Sequence, residues 1–209
     1  MAGRLCRGCR SRHGGYPACR GPNGAERLPS IGLVTDTELP AVPDRVDPPF
    51  VAGERAMLES WLDFHRATLL HKCSGLDAAQ LRSRSVPPSS LSLLGLVRHM
   101  TDVERYWFRY VMLGEDVAPV YWDETGEDGD FDAVDTADAS ADLAAYGAMV
   151  ETCRAAAVQV DDLDSPAVQQ RYGRAVSFRW ILVHMVEEYA RHNGHADLLR
   201  ERIDGSTGD

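Results

Sequence analysis

Lysine is all but missing from this chain: Lys72 stands alone against 21 arginines. Positive charge as a whole is short, because 32 acidic side chains leave a formal net charge of -10 at pH 7. That balance argues against a nucleic-acid or anionic-membrane partner. No run approaches the roughly 18–20 consecutive apolar residues of a membrane span. No apolar stretch follows the basic N-terminus as a signal peptide requires. The expected location is therefore the cytoplasm, where the five cysteines should be mostly reduced. Strand-like alternation is lacking too, which points to an all-α class. A short extended pair, if there is one, belongs in residues 115–138 or 168–176.

The charge is unevenly spread. Residues 1–33 hold six arginines against one glutamate, whereas residues 34–209 hold sixteen basic and thirty-one acidic residues. The first 33 residues are rich in Arg, Gly, Cys and Pro and show no periodicity. Cys6, Cys9, His13 and Cys19 offer four zinc-type donors, but their spacing is too cramped for a usual finger, and no second Cys-x2-Cys follows. Residues 1–33 are read as a disordered extension, or as translated upstream sequence with the natural start near Val34. Residues 34–51 carry prolines at 40, 43, 48 and 49 and form an extended lead-in to a domain spanning 52–206.

That domain reads as four helices. The first runs from about Gly53 to Cys73, with Leu58, Trp61, Leu62, His65 and Leu69 along one side and Gly75 as its stop. The second covers about Ser92 to Leu113, with a stripe of Leu96, Val97, Met100, Val103, Trp107 and Tyr110. A long acidic and aromatic connection, about 115–138, is expected to pack on the bundle through Tyr121, Trp122 and Phe131. The third helix starts near Ser140 or Ala141 and presents Leu143, Tyr146, Val150, Cys153 and Ala157. The fourth is capped by Ser177 and ends near Arg202, before Gly205. The architecture is a four-helix bundle with one long crossover between the second and third helices.

The fourth helix carries the chemistry, in His184-Met-Val-Glu-Glu188-Tyr-Ala-Arg-His192-Asn-Gly-His195. Glu188 and His192 lie four residues apart and leave one face, shared with Ile181, Met185 and Leu199. A carboxylate and an imidazole aimed into a core are costly without a partner, and a divalent ion is an effective one. His99, at the edge of the second helix's stripe, supplies a third donor. Three protein ligands leave a position open, the pattern of a catalytic site, and the set suits zinc, iron(II), nickel or manganese. The competing reading pairs Glu188 with Arg191 or Arg179 at the surface, and spacing does not decide between them. His184 and His195 compete as ligands. His65 and His71 read as ordinary histidines, and Cys73 and Cys153 as core cysteines.

Two motifs together, Leu96-Val-Arg-His99-Met-Thr-Asp-Val-Glu104-Arg-Tyr-Trp107 and Glu187-Glu188-Tyr-Ala-Arg-His192-Asn-Gly194-His195, resemble the DinB-like (DinB/YfiT) superfamily over residues 50–206, most closely its actinobacterial branch. The resemblance implies a bundle with one metal-binding His on the second helix and two ligands at i, i+4 on the last. Carried over, these are His99, Glu188 and His192. Glu188 stands where many relatives have His, but the similar mycothiol-dependent isomerases also use a His, Glu, His set.

Characterised relatives are thiol-dependent transferases and isomerases. The implied function is therefore use of a low-molecular-weight thiol such as mycothiol, with a small electrophile as second substrate. Glu187, Asp102 or a backbone carbonyl would orient the imidazoles, Tyr106, Trp107, Tyr121 and Trp122 would wall the pocket, with core packing the favoured role for Trp107, and Arg179 or Arg109 would meet a carboxylate. A metal-water hydrolase and a non-catalytic metal- or ligand-binding bundle are the alternatives, and free helix faces leave room for a homodimer.

Overall fold

The computed structural model of the chain describes residues 42–122 and 128–208. The Cys6, Cys9, His13 and Cys19 donor set and the expected start near Val34 lie outside the described residues. Residues 42–51 hold neither helix nor strand.

Four long helices build the body: α1 (Glu54–Cys73), α3 (Leu93–Glu104), α5 (Ala139–Val158) and α6 (Phe178–Asp204). Two short ones, α2 (Ala78–Arg82) and α4 (Gly129–Asp132), lie in the connections. α1 packs chiefly on α6, and α3 on α5. Among the described residues there is no strand; Pro166–Ser177 and Arg171–Arg174 form isolated antiparallel bridges. No helix among the described residues is long and apolar enough to cross a membrane.

Local chemistry sets most boundaries. Ser92, Asp138 and Ser177 each accept a backbone N–H of the first turn, from Gly95, Ala141 and Trp180. Asp77 and Gln80 form a reciprocal capping box on α2, which sequence periodicity does not reveal because the helix has only five residues. α6 stops at Gly205, whose φ of 82° is the left-handed conformation that only glycine adopts without a Cβ penalty. α3 does not end at Glu104. It continues as a π-helix, Arg105–Met112, which keeps Trp107, Phe108 and Val111 turned inward.

The stripes expected on α3, α5 and α6 are buried, apart from the half-buried Tyr110. On α1 the buried face centres on Leu62, Arg66, Leu69 and Cys73, spaced by three or four residues. Trp61 is displaced to the rim and is 42% exposed, contrary to its place in the expected stripe. An arginine within an apolar face is what the sequence pattern concealed.

Arg66 enters the core because Glu104 waits there. Its Nε and Nη2 donate to the two carboxylate oxygens of Glu104, both at 2.7 Å. Tyr189 of α6 donates to Glu104 Oε1 at 2.8 Å, and its hydroxyl lies 2.9 Å from that of Tyr146 on α5. One carboxylate thus ties all four long helices together. Removing one partner of such a pair leaves a buried charge uncompensated, at about 3–5 kcal/mol. Arg66→Met is expected to lose stability on that scale in urea unfolding, and a loss under about 1 kcal/mol would show that the pair is dispensable.

Candidate metal centre

The spacing of α6 carries Ile181, Met185, Glu188, His192 and Leu199 to the interior, and all five are buried. Glu188 is 5% exposed, which removes it from the surface pairing with Arg179. Arg179 instead binds Glu54 and Asp164, and Arg109 binds Glu115, so both expected substrate-binding arginines are held by acids of this chain. Arg191 approaches Glu188 only to 3.9 Å; its close partner is Glu187.

His192 Nε2 stands 3.5 Å from Glu188 Oε2, and the His99 ring centroid is 4.9 Å from that of His192. The structure sets the His99 ring beside that of His192, and His192 beside Glu188, between α3 and α6. It adds a fourth, His184, one turn before Glu188, whose Nε2 is 3.5 Å from Glu188 Oε1. His184 lies between two indoles, edge-on to Trp107 at 4.6 Å and stacked on Trp180 at 4.9 Å. Among the described residues, the donor atoms that all lie within 4.8 Å of one another are those of His184, Glu187 and Glu188, a set that shares only Glu188 with the expected one.

Glu188 Oε2 and His184 Nε2 are buried and make no hydrogen bond. Their 3.5 Å approaches are long for hydrogen bonds. Two donors sharing a tetrahedral ion at about 2.0–2.1 Å stand about 3.4 Å apart. The separations and the unmet buried oxygen fit a cation, and the donors suit zinc or another borderline divalent ion. Burial pushes the Glu188 carboxyl upward, but His192, His184 and His99 together hold it below its ordinary value, so the carboxylate is the resident form. Burial lowers His184 and His195 and keeps both imidazoles neutral near pH 7.

The imidazole supports differ from expectation. Asp102 accepts from Arg105 and from the backbone N–H groups of Val120 and Tyr121, anchoring the long connection and touching no histidine. Glu187 turns toward Arg191 and lies 3.7 Å from His184 Nδ1. The partner of His99 is Asp130 of α4, with Oδ2 2.7 Å from Nδ1. Beside His192, His195 Nδ1 lies 3.4 Å from His192 Nδ1. No sequence signal pointed to Asp130, which lies 31 residues from His99 in a segment without long-range periodicity.

Of the aromatic wall, Trp107 is fully buried and flanks His184, Tyr106 packs on Trp107 and Tyr110, and Tyr121 lies under Arg98. Trp122 is half-buried. Trp180 belongs to this wall and was not anticipated. Cys73 and Cys153 are buried free thiols, and burial pushes Cys73 up to about 12. His71 meets the Pro43 carbonyl. A cavity of about 720 Å³ lies elsewhere, lined by Phe64, Arg66, Leu143, Tyr146 and Arg154 and by none of the clustered histidines.

The described residues thus form an all-α bundle with a cluster of imidazole and carboxylate side chains between two facing helices. Residues 57–205 match the Mycothiol-S-transferase family, and the chain belongs to it. No curated protein matches the sequence. A solved structure described as the conserved protein of locus from Enterococcus faecalis shares the fold, with a TM-score of 0.53 and 14% identity over 75% of this chain and 100% of that one.

His65 gives a test of the electrostatics away from the cluster. Asn193 Nδ2 donates to its carbonyl, its ring packs beside Trp61, and burial holds the imidazole below its ordinary value. As pH falls below about 6.5, the unfolded chain binds this proton first, so stability declines with pH in that window. The slope of unfolding free energy against pH, from urea titrations between about pH 7 and 5, is expected to be shallower in His65→Gln. An unchanged slope would refute the assignment.

Proposed function

We propose that the bundle, residues 52–206, is a divalent-metal-dependent enzyme that joins a low-molecular-weight thiol, mycothiol, to a small electrophilic substrate. The family supports the thiol, and the observation that carries the metal is the buried Glu188 carboxylate, with Oε1 beside His184 and Oε2 beside His192, the latter oxygen meeting no hydrogen-bond geometry. His99, Glu188 and His192 would hold the ion, with zinc the best match to the donor set. When bound, it supplies a Lewis-acid site at which a thiol ionises near neutral pH.

The chain's own residues set the conditions for that chemistry. Glu188 contributes the one negative charge among the three donors, so a dication there keeps a net charge of about +1. Neutral imidazoles leave that charge undiminished for an incoming sulfur. Trp107 and Trp180 screen the His184 side from water, which strengthens every charge interaction inside. In the transfer, a carbon–sulfur bond forms, the electron pair of the bond that breaks leaves with the displaced group, and the thiol proton passes to solvent.

Purified protein is expected to carry about one divalent ion per chain, and the Glu188→Ala, His192→Ala double variant to lose it. Full occupancy in that variant, read by elemental analysis, would rule out the site. Cobalt-loaded wild type is expected to gain a sulfur-to-metal charge-transfer band on adding mycothiol. Cobalt binding with no such band would leave the metal and remove the thiol.

A further inference from the structure

We infer that His184, Glu187 and Glu188 form a divalent-cation position of their own, beside the one assigned to His99, Glu188 and His192, with the Glu188 carboxylate common to both. This position needs neither His99 nor His192. Its residues are spaced i, i+3 and i+4, so one turn of α6 directs them to the same side. Donor atoms of all three lie within 4.8 Å of one another. A cluster of surface carboxylates would carry no such conclusion, but two of these residues are not surface groups. The Glu188 side chain is 6% exposed and that of His184 19%. Glu188 Oε2 and His184 Nε2 are buried atoms without a hydrogen bond. Buried polar atoms in that state are costly, and a cation meets an imidazole nitrogen and a carboxylate oxygen at once.

The Glu188 carboxylate faces two ways. Oε1 lies 3.5 Å from His184 Nε2, and Oε2 lies 3.5 Å from His192 Nε2. One oxygen on each side is the arrangement of a carboxylate that bridges two ions, which in paired sites stand about 3.5–4 Å apart. The His184 ring is already held. Trp180 stacks on it with 19° between planes, and Trp107 meets it edge-on at 4.6 Å, so binding an ion freezes little further motion. Glu187 closes the set from the solvent side. Its Oε1 is held by Arg191, while Oε2 stands 3.7 Å from His184 Nδ1. The guanidinium offsets part of the negative charge, which makes this the weaker position, filled after the other. Two carboxylates and one imidazole also suit a harder ion than two imidazoles do, manganese(II) among them. His99 has a separate support: Phe131 lies 5.3 Å from its ring and rests against Gly95, where an added Cβ would come within 2.8 Å of the Phe131 ring. The two positions can therefore be perturbed one at a time.

The test is equilibrium dialysis of the metal-stripped full chain against manganese(II), with bound ion counted by elemental analysis. Manganese suits carboxylate oxygen and leaves thiols such as Cys6, Cys9 and Cys19 out of the count. Wild type is expected to take up about two equivalents at saturation. Glu187→Gln, at a side chain 47% exposed, is expected to fold as wild type and to lose one of them. His99→Ala is expected to lose the other. A Glu187 that serves only as the surface partner of Arg191 would leave uptake as in wild type, and that result would overturn the inference. So would a single equivalent that disappears in His99→Ala, and the donor set proposed above would then stand alone. A single equivalent that survives His99→Ala and disappears in Glu187→Gln would uphold the inference and overturn that donor set instead. No uptake by wild type would overturn both.

Discussion

A single buried carboxylate, Glu104, organises this bundle. Arg66 grips both of its oxygens from α1, Tyr189 reaches one of them from α6, and Tyr146 joins through the Tyr189 hydroxyl from α5. Apolar packing alone would let four helices slide and rotate against one another at small cost, since hydrophobic attraction has no direction. The hydrogen bonds have direction, and the low-polarity surroundings make any misalignment expensive. Register between the helices is therefore fixed in the middle of the core. Tyr189 follows Glu188 immediately, so the same contact that fixes α6 also sets the height and rotation at which its donors meet His99 of α3.

The site uses a second polar layer. Arg98 spans α3, α4 and α5, while Asp102, one turn on, pins the backbone at Val120 and Tyr121. Two successive turns of α3 thus hold the long connection, and His99, next to Arg98, faces the histidine and glutamate cluster. The described parts of the connection between α3 and α5 are therefore held against α3 by specific side-chain contacts. The π-helical segment after Glu104 extends the same logic, since it brings Trp107 against His184 from the α3 side.

Much of this was legible in the sequence, for definable reasons. The long helices announce themselves through apolar spacing, and Ser177, Gly75 and Gly205 mark ends because their side chains, or the lack of one, suit particular backbone positions. The pairing of Glu188 with His192 follows from four-residue spacing. What stayed hidden is nonlocal or too short to be periodic. Arg66 carries no local signal of burial because its partner is 38 positions away. Trp61 looked like core because it is apolar, although the face turns away from it. Asp102 and Glu187 were reasonable supports for the histidines by proximity in sequence, yet each has a stronger partner, a backbone pair for one and Arg191 for the other. Asp130 arrives from a loop segment, and only the folded chain shows where it lands.

The contact between Gly95 and Phe131 has an evolutionary reading. A helix position with no side chain and an aromatic ring resting on it form one shape shared by two codons. Neither codon can drift alone without dislodging the ring beside His99. Among descendants of this gene, the two sites should be inherited as a single character, changing together or staying fixed.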